Sequence, residues 1–194
     1  MRAMTYKVEE IKQTDIQKLG GLYHKYPASK IVADMIGKLG DIVIDVTYGK
    51  GRFFAIYRPK VLVGVDVKKW KWIVTPDKFY NCTTWQFYNM LRYRDIDINH
   101  ADIVVADPPR WHNNEHRRSE YNFIIGSPKL IIYYAYNIAE LLNARYLFLH
   151  YNKIVGDIIN KDKIVRVIKY YYISRYTHVG HRTYSYFILY DLQK

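Results

Sequence analysis

The sequence predicts an α/β fold in which five parallel strands are followed by a C-terminal antiparallel hairpin, with helices on both faces of the sheet. Three observations lead there. Short β-branched runs alternate with amphipathic stretches of helical period, an order that requires crossover connections and hence parallel pairing. The last two β-rich runs, 164–174 and 184–192, are joined by a segment with no room for a crossover helix, so they pair antiparallel. No repeat, low-complexity tract or Gly/Ser/Pro-rich linker separates folding units. Residues 1–194 therefore read as one domain, with 1–40 as an N-terminal helical extension.

Taken in order, Val8, Ile11, Ile16 and Leu19 have helix-compatible spacing, and Gly20-Gly21 breaks it. A second amphipathic stretch, 29–39, carries Ile31, Val32, Met35 and Ile36 on one face. The first strand is the run 41–46, closed by a Gly-containing turn. Residues 52–57 allow only a short helix before the second strand, 61–67, and further strands are expected at 81–85 and 102–106. A long helix over 129–142 precedes the fifth strand, 146–150, and the hairpin ends the chain.

Composition narrows the function classes. With 30 Lys and Arg against 18 Asp and Glu, the chain carries a formal charge of +12, a long-range attraction for polyanions of which nucleic acid is the foremost. Cys82 is the only cysteine, which excludes an internal disulfide. No apolar run approaches the length of a membrane span, and residues 1–10 lack the apolar core of a signal peptide. No membrane association is expected, and the cytoplasm is the expected location.

The first chemical motif is Asp45-Val46-Thr47-Tyr48-Gly49-Lys50-Gly51, placed where the first strand ends, at the edge where open α/β sheets bind ligands. Glycines there let the backbone approach a ligand closely. Asp66 ends the second strand 21 positions after Asp45, a spacing at which a carboxylate can accept hydrogen bonds from both hydroxyls of a ribose. An adenosine compound is implied. The dinucleotide fingerprint fails, because Phe54 stands where its third glycine should be and would obstruct close helix-to-sheet packing. A carboxylate at Asp45 would also oppose a pyrophosphate while suiting a cationic ligand.

D-x-T-x-G-x-G after a hydrophobic strand, with an acid at the end of strand two, resembles the cofactor motif of class I S-adenosylmethionine-dependent methyltransferases. The resemblance implies a Rossmann-like seven-stranded methyltransferase sheet and S-adenosylmethionine as cofactor. It places Asp45, Thr47, Tyr48, Gly49 and Gly51 beside the methionine part and Asp66 on the ribose.

The second motif, Asp107-Pro108-Pro109-Arg110-Trp111, follows the strand 102–106 directly and so lies at the same carboxyl edge. Consecutive prolines stiffen the backbone and leave carbonyls without local donors. An exocyclic amino group on a base is a poor nucleophile, since its lone pair is delocalised into the ring. A carboxylate and a carbonyl accepting its two hydrogens would favour the tetrahedral geometry needed for attack, with positioning supplying much of the catalysis. The segment is similar to the D/N-P-P-aromatic signature of methyltransferases acting on planar amines, the amino-methyltransferase type. By that resemblance Asp107 and the carbonyl of Pro108 hold the amine, Pro109 stiffens the turn, and an aromatic stacks on the ring. Here the aromatic position holds Arg110. Trp111, one place later, is the preferred stacking residue; the alternatives are a stacking Arg110 guanidinium or a loss of activity.

Beyond these motifs, residues 23–30 resemble the N-terminal cofactor motif of nucleic-acid amino-methyltransferases, or form a turn in which Ser29 caps a helix. Arg110, Arg117 and Arg118, with His112 and His116, make a basic loop beside the proposed site that could hold phosphates around an extruded base, or a solvated surface loop. Lys68, Lys69 and Lys71 interleave with Trp70 and Trp72, a pattern for stacking on bases, for flanking adenine or for core packing. His178 and His181 lack carboxylate or thiol company, so no metal site is expected. Hydrolase and ATPase motifs do not occur.

The combined reading is an S-adenosylmethionine-dependent methyltransferase acting on an exocyclic amine of a nucleic-acid base: adenine N6 or cytosine N4 in DNA, or a base in RNA. With little chain left for a recognition domain, specificity is expected from short loops, from folded RNA shape, or from a second subunit, either a homodimer mate or a separate specificity subunit. The rivals are a protein glutamine methyltransferase, which has no need of such charge, and a non-catalytic nucleic-acid-binding protein on a degenerate methyltransferase scaffold.

Overall fold

The computed structural model describes residues 6–109, 127–173 and 182–194. Strand β1 (Val8–Lys12) leads through two short helices, α1 (Gln13–Gln17) and α2 (Gly21–Lys25), to α3 (Pro27–Ile36). Then come β2 (Ile42–Asp45), a single 3-10 turn at Arg52–Phe54, β3 (Val61–Val65), β4 (Lys78–Tyr80) and α4 (Thr84–Arg92). The chain continues through β5 (Ile103–Ala106), α5 (Pro128–Leu141), β6 (Tyr146–Tyr151), β7 (Ile164–Ile173) and β8 (Arg182–Asp191). All eight strands share one sheet in the order β1-β7-β8-β6-β5-β2-β3-β4.

Six of the seven expected strands are present at their expected places, and the seventh lies just before its place. Strands β2 to β6 pair in parallel, and β8 runs antiparallel between β6 and β7. From β2 the chain moves outward to β3 and β4, then returns to the other side of β2 as β5. The loops after β2 and β5 therefore flank the point where strand order reverses, the crevice in which such sheets bind ligands.

Inward residues alternate strictly along the strands. Ile44, Val63, Val104, Leu147 and Leu149 pack against α4 and α5 through Phe87, Leu91, Ile132, Ala135 and Ile138. Val43, Leu62, Ile103, Val105 and Phe148 face the other way, against Ile31, Val32, Met35 and Ile36 of α3. Period two in the strands and period 3.6 in the helices thus build two cores from one sheet. Each large aliphatic side chain so buried stabilises the fold by about 1.5–3 kcal/mol.

The structure corrects three expectations in the outer elements. The first half of the expected helix over Val8 to Leu19 is β1, an eighth strand, whose parallel register runs from Val8 opposite Val167 to Lys12 opposite Tyr171. An outer strand such as β7 offers a row of unpaired backbone groups, and satisfying them outweighs a weak local helical period. The Arg166 guanidinium clamps the addition, giving Nε to Glu9 Oε1 at 2.9 Å and Nη2 to Oε2 at 3.0 Å. The strand expected at 81–85 is instead β4, three residues earlier. Residues Thr83 to Gln86 form a capping box, in which Thr83 Oγ1 accepts from the Gln86 N–H and Gln86 Oε1 accepts from the Thr83 N–H.

The third correction concerns Phe54. It obstructs no crossover helix, because the crossover between β2 and β3 contains only the 3-10 turn. Phe54 is buried and stacked on Tyr48, ring centroids 6.0 Å apart, and α3 covers the sheet face that a crossover helix would cover. Among the described residues, no helix is long and apolar enough to cross a membrane.

Candidate functional site

Above the β2/β5 reversal lies a cleft of about 710 Å³ whose wall includes Asp45, Thr47, Gly49, Asp66, Asp107 and Pro109. The glycine loop, the acid ending the second parallel strand and the Asp-Pro-Pro turn therefore meet in one cavity. Parallel pairing dictates this: Asp45 lies opposite Gly64 and Val105, so Asp66 and Asp107 are each delivered two residues beyond a register partner of Asp45.

Thr47 joins the two motifs. Its N–H donates to Asp45 Oδ1 at 2.9 Å and its hydroxyl to the same oxygen at 3.2 Å. That hydroxyl oxygen also accepts the Asp107 N–H at 2.6 Å. Asp45 is only 2% exposed, and desolvation, reinforced by the nearby Asp107 and Asp66 charges, pushes its carboxyl up to about 8 against the two Thr47 hydrogen bonds. A buried acid with two further carboxylates on the same wall makes a floor that favours a cation.

Asp66 is buried at the end of β3 and holds the loops on either side of it. Its Oδ2 accepts from the Gly49 N–H and its Oδ1 from the Lys68 N–H, both at 2.9 Å. Its own carbonyl takes a hydrogen bond from Asn81 Nδ2 at 3.0 Å. Asp66 also lines the cleft.

Tyr48 also lines the cleft, and its side chain anchors the glycine loop. Tyr48 is buried, with its hydroxyl donating to the Val74 carbonyl at 2.7 Å. Gly51 has φ +71°, and a Cβ there would stand 2.6 Å from Tyr48 Oη and 2.7 Å from the Val74 oxygen. Gly51 is absent from the cleft wall, whereas Gly49, at φ +55°, lines it. Pro108 is buried, and the cleft is lined by its neighbours Asp107 and Pro109.

The segment 23–30 contributes Lys25, Tyr26, Pro27, Ala28 and Ser29 to the wall. Ser29 is no cap: α3 starts at Pro27 with Tyr26 as the preceding residue, and the buried Ser29 hydroxyl donates to the Arg52 carbonyl. It ties α3 to the loop after β2. Trp70 lines the cleft with Lys68 Nζ 4.4 Å and Lys50 Nζ 5.7 Å from its ring centroid, while Trp72 packs edge-on against Phe79 at 5.1 Å. Arg110, Trp111, Arg117, Arg118, His178 and His181 lie outside the described residues. Among the described residues no cluster of three or more His, Cys, Asp or Glu side chains is arranged to hold a metal ion.

Sequence reasoning missed five participants. His150, on β6, sits with Nδ1 2.9 Å from Asp107 Oδ1 and Nε2 2.8 Å from Ser185 Oγ. Phe53 lies edge-on to the His150 ring at 5.7 Å and itself lines the cleft. Cys82, Thr83 and Thr84, at the start of α4, face the cleft beside Val67, and Thr84 Oγ1 donates to the Val46 carbonyl at 3.0 Å. A histidine inside an apolar strand run, Leu147 to Tyr151, was the available signal for the first of these.

No protein-family model matches the chain, and no curated protein matches it. Solved structures do. A candidate methyltransferase from Streptococcus mutans in complex with SAH is similar over 84% of this chain and 97% of its own, with a TM-score of 0.50 and 11% identity. Magnesium protoporphyrin IX methyltransferase from Synechocystis PCC 6803 with bound SAM is similar over 91% of this chain and 82% of its own, with a TM-score of 0.48 and 15% identity. An rRNA methylase from Streptococcus thermophilus is similar over 90% and 98%, with a TM-score of 0.45 and 14% identity. The likeness to the Streptococcus mutans structure is one of fold: the chain has a Rossmann-like methyltransferase fold with the terminal antiparallel hairpin.

Proposed function

We propose that this chain is an S-adenosylmethionine-dependent methyltransferase that acts on an exocyclic amine of a nucleic-acid base. The observation that carries the reading is the convergence of Asp45, Asp66 and Asp107 on one cleft, with Thr47 hydrogen-bonded to both Asp45 and the Asp107 backbone. The residues present fit the cofactor. Asp66 stands on the wall as the acid to face a ribose diol, Val67, Cys82 and Thr83 form a mixed wall suited to adenine, and Asp45 places acid where a cationic group would sit. When bound, S-adenosylmethionine supplies an electrophilic methyl group on a positively charged sulfur.

The chain's own residues then have separable tasks. Asp107 accepts a hydrogen of the substrate amine and is the group placed to take the proton that the amine sheds. Phe53, on the cleft wall next to the Asp107 partner His150, offers an aromatic surface to a flat ring. Lys25, Lys50 and Arg52 stand around the same opening. Acid inside and base around it suit a small cation within and a polyanion across the mouth. The basic side chains and the net charge of +12 support nucleic acid over a protein glutamine as the carrier of the amine.

Calorimetry with S-adenosylmethionine and its demethylated product, followed by tritiated methyl transfer to DNA, RNA and protein pools, tests the reading. Binding of both ligands is expected, with label on nucleic acid, and Asp107→Ala is expected to lose transfer while retaining cofactor affinity. Absence of binding overturns the enzyme reading. Label on protein alone moves the substrate to a glutamine amide.

A further inference from the structure

Asp107 is held from behind. Its Oδ1 is 2.9 Å from His150 Nδ1, across the β5/β6 pairing, and the far side of the imidazole reaches Ser185 Oγ at 2.8 Å across the β6/β8 pairing. β6 and β8 contribute one residue each to this line, and Asp107 directly follows β5. The imidazole has little freedom: it stacks on Phe187 with centroids 4.2 Å apart and planes 10° from parallel, and the edge of Phe53 closes a second side. Ser185 is completely buried, and the His150 side chain is 12% exposed, whereas the Asp107 side chain is 42% exposed at the cleft.

The chemistry of the three groups fixes where the hydrogens sit. A carboxylate accepts only, so His150 Nδ1 carries the hydrogen and donates it to Asp107. Neutral imidazole then has its lone pair on Nε2, and the Ser185 hydroxyl donates to it. Asp107 thereby selects the tautomer in which Nδ1 is the donor, and the rotatable Ser185 hydroxyl complements it at Nε2.

We propose that His150 and Ser185 are positioning residues for Asp107, engaging one carboxylate oxygen so that the other is presented to the substrate amine. This rests on the methyltransferase reading above. Neither residue touches the substrate: His150 acts through Asp107, and Ser185 acts through His150. The same line explains an otherwise costly placement, since two polar side chains lie in an aromatic layer that apolar residues would fill without desolvation loss. The exposed end of the line is the one group that faces the cleft.

The test separates positioning from packing. His150→Phe keeps an aromatic ring on Phe187 and removes the donor, whereas His150→Asn restores an N–H near the Nδ1 position. His150→Phe is expected to lower kcat about a hundredfold, the loss typical of a displaced reacting group, with cofactor affinity unchanged. His150→Asn should recover most of that loss, and Ser185→Ala should give an intermediate one. Nitrogen-15 imidazole spectra of the unmodified protein should show hydrogen on Nδ1 of His150, and Asp107→Ala should shift that resonance. An unchanged kcat in His150→Phe overturns the positioning role and leaves the methyltransferase reading intact. Hydrogen on Nε2 instead of Nδ1 overturns it as well, even where every variant fails to fold. A protein that transfers no methyl group while showing the Nδ1 tautomer coupled to Asp107 keeps the hydrogen-bonded line and loses its catalytic purpose, which also overturns the proposal.

Discussion

The hydroxyl of Thr47 is the hinge pin between two sequence motifs, accepting the Asp107 N–H at 2.6 Å while donating to Asp45 Oδ1 at 3.2 Å. Thr47 and Asp107 are 60 positions apart in the chain, and this oxygen adds a side-chain tie to the β2/β5 pairing that brings them together, so displacing it would loosen the Asp-Pro-Pro turn against the acid floor.

Removing that oxygen is therefore expected to uncouple the motifs. Thr47→Val keeps the shape, leaves the Asp107 N–H without its acceptor and takes one donor from Asp45. We expect a loss of about 1–3 kcal/mol in denaturant unfolding, the cost of orphaning a part-buried group. Thr47→Ser should retain most of the stability. Equal midpoints for threonine and valine would remove the hydroxyl from the account.

Asp45 makes stability depend on pH with a definite sign. Its carboxyl is raised in the folded state to about 8 from an ordinary value of 3.8. Below pH 4 both states are protonated and the group's contribution is fully present. As pH rises, the unfolded carboxyl ionises while the folded one keeps its proton, so stability falls until pH passes about 8. Unfolding at pH 5 and pH 8 should show this decline, and Asp45→Asn should flatten it. A slope that survives in Asp45→Asn would assign it to other groups.

The same acid couples a cationic ligand to a proton. A positive sulfur compound placed by the floor favours the ionised carboxyl, so binding should release a proton below about pH 8 and tighten as pH approaches that value. The neutral demethylated product should show a weaker dependence. Calorimetry of both ligands in two buffers of different ionisation heat measures the proton count directly, and identical counts would place the charge elsewhere.

Two glycines of the same loop should respond unequally. Gly49→Ala meets nothing closer than 3.9 Å, so its cost is that of a left-handed alanine, about 1–2 kcal/mol. Gly51→Ala adds contacts of 2.6 Å to Tyr48 Oη and 2.7 Å to the Val74 oxygen, and the second of these is backbone. Thermal unfolding should rank Gly51→Ala clearly below Gly49→Ala. Matching melting temperatures would mean that the Tyr48 and Val74 contacts yield freely.

The parallel strands and the hairpin could be read directly because β-branched runs such as Val61 to Val65 and the alternating tail carry their pairing in composition and spacing. Asp45, Asp66 and Asp107 were legible for the same reason: each ends or directly follows such a run. β1 was not, since Val8–Lys12 becomes a strand only because β7 offers it an edge and Arg166 offers Glu9 a partner, both distant in sequence. His150 and Ser185 lie 35 positions apart and 43 or more from Asp107, and no local pattern links them. The start of α4 was readable in principle, as Thr83 and Gln86 have capping-box spacing, but the apolar period of Asn81 to Trp85 pointed to a strand.

The borrowed roof over the β2/β3 crossover makes the segment before β2 indispensable to the remainder. A shortened protein beginning at β2 would retain every carboxylate of the cleft and still lay bare Val43, Leu62, Ile103 and Val105 to water. An apolar slab of that kind seeks its own copies, so such a truncation should precipitate when heated or concentrated rather than persist as a smaller working unit.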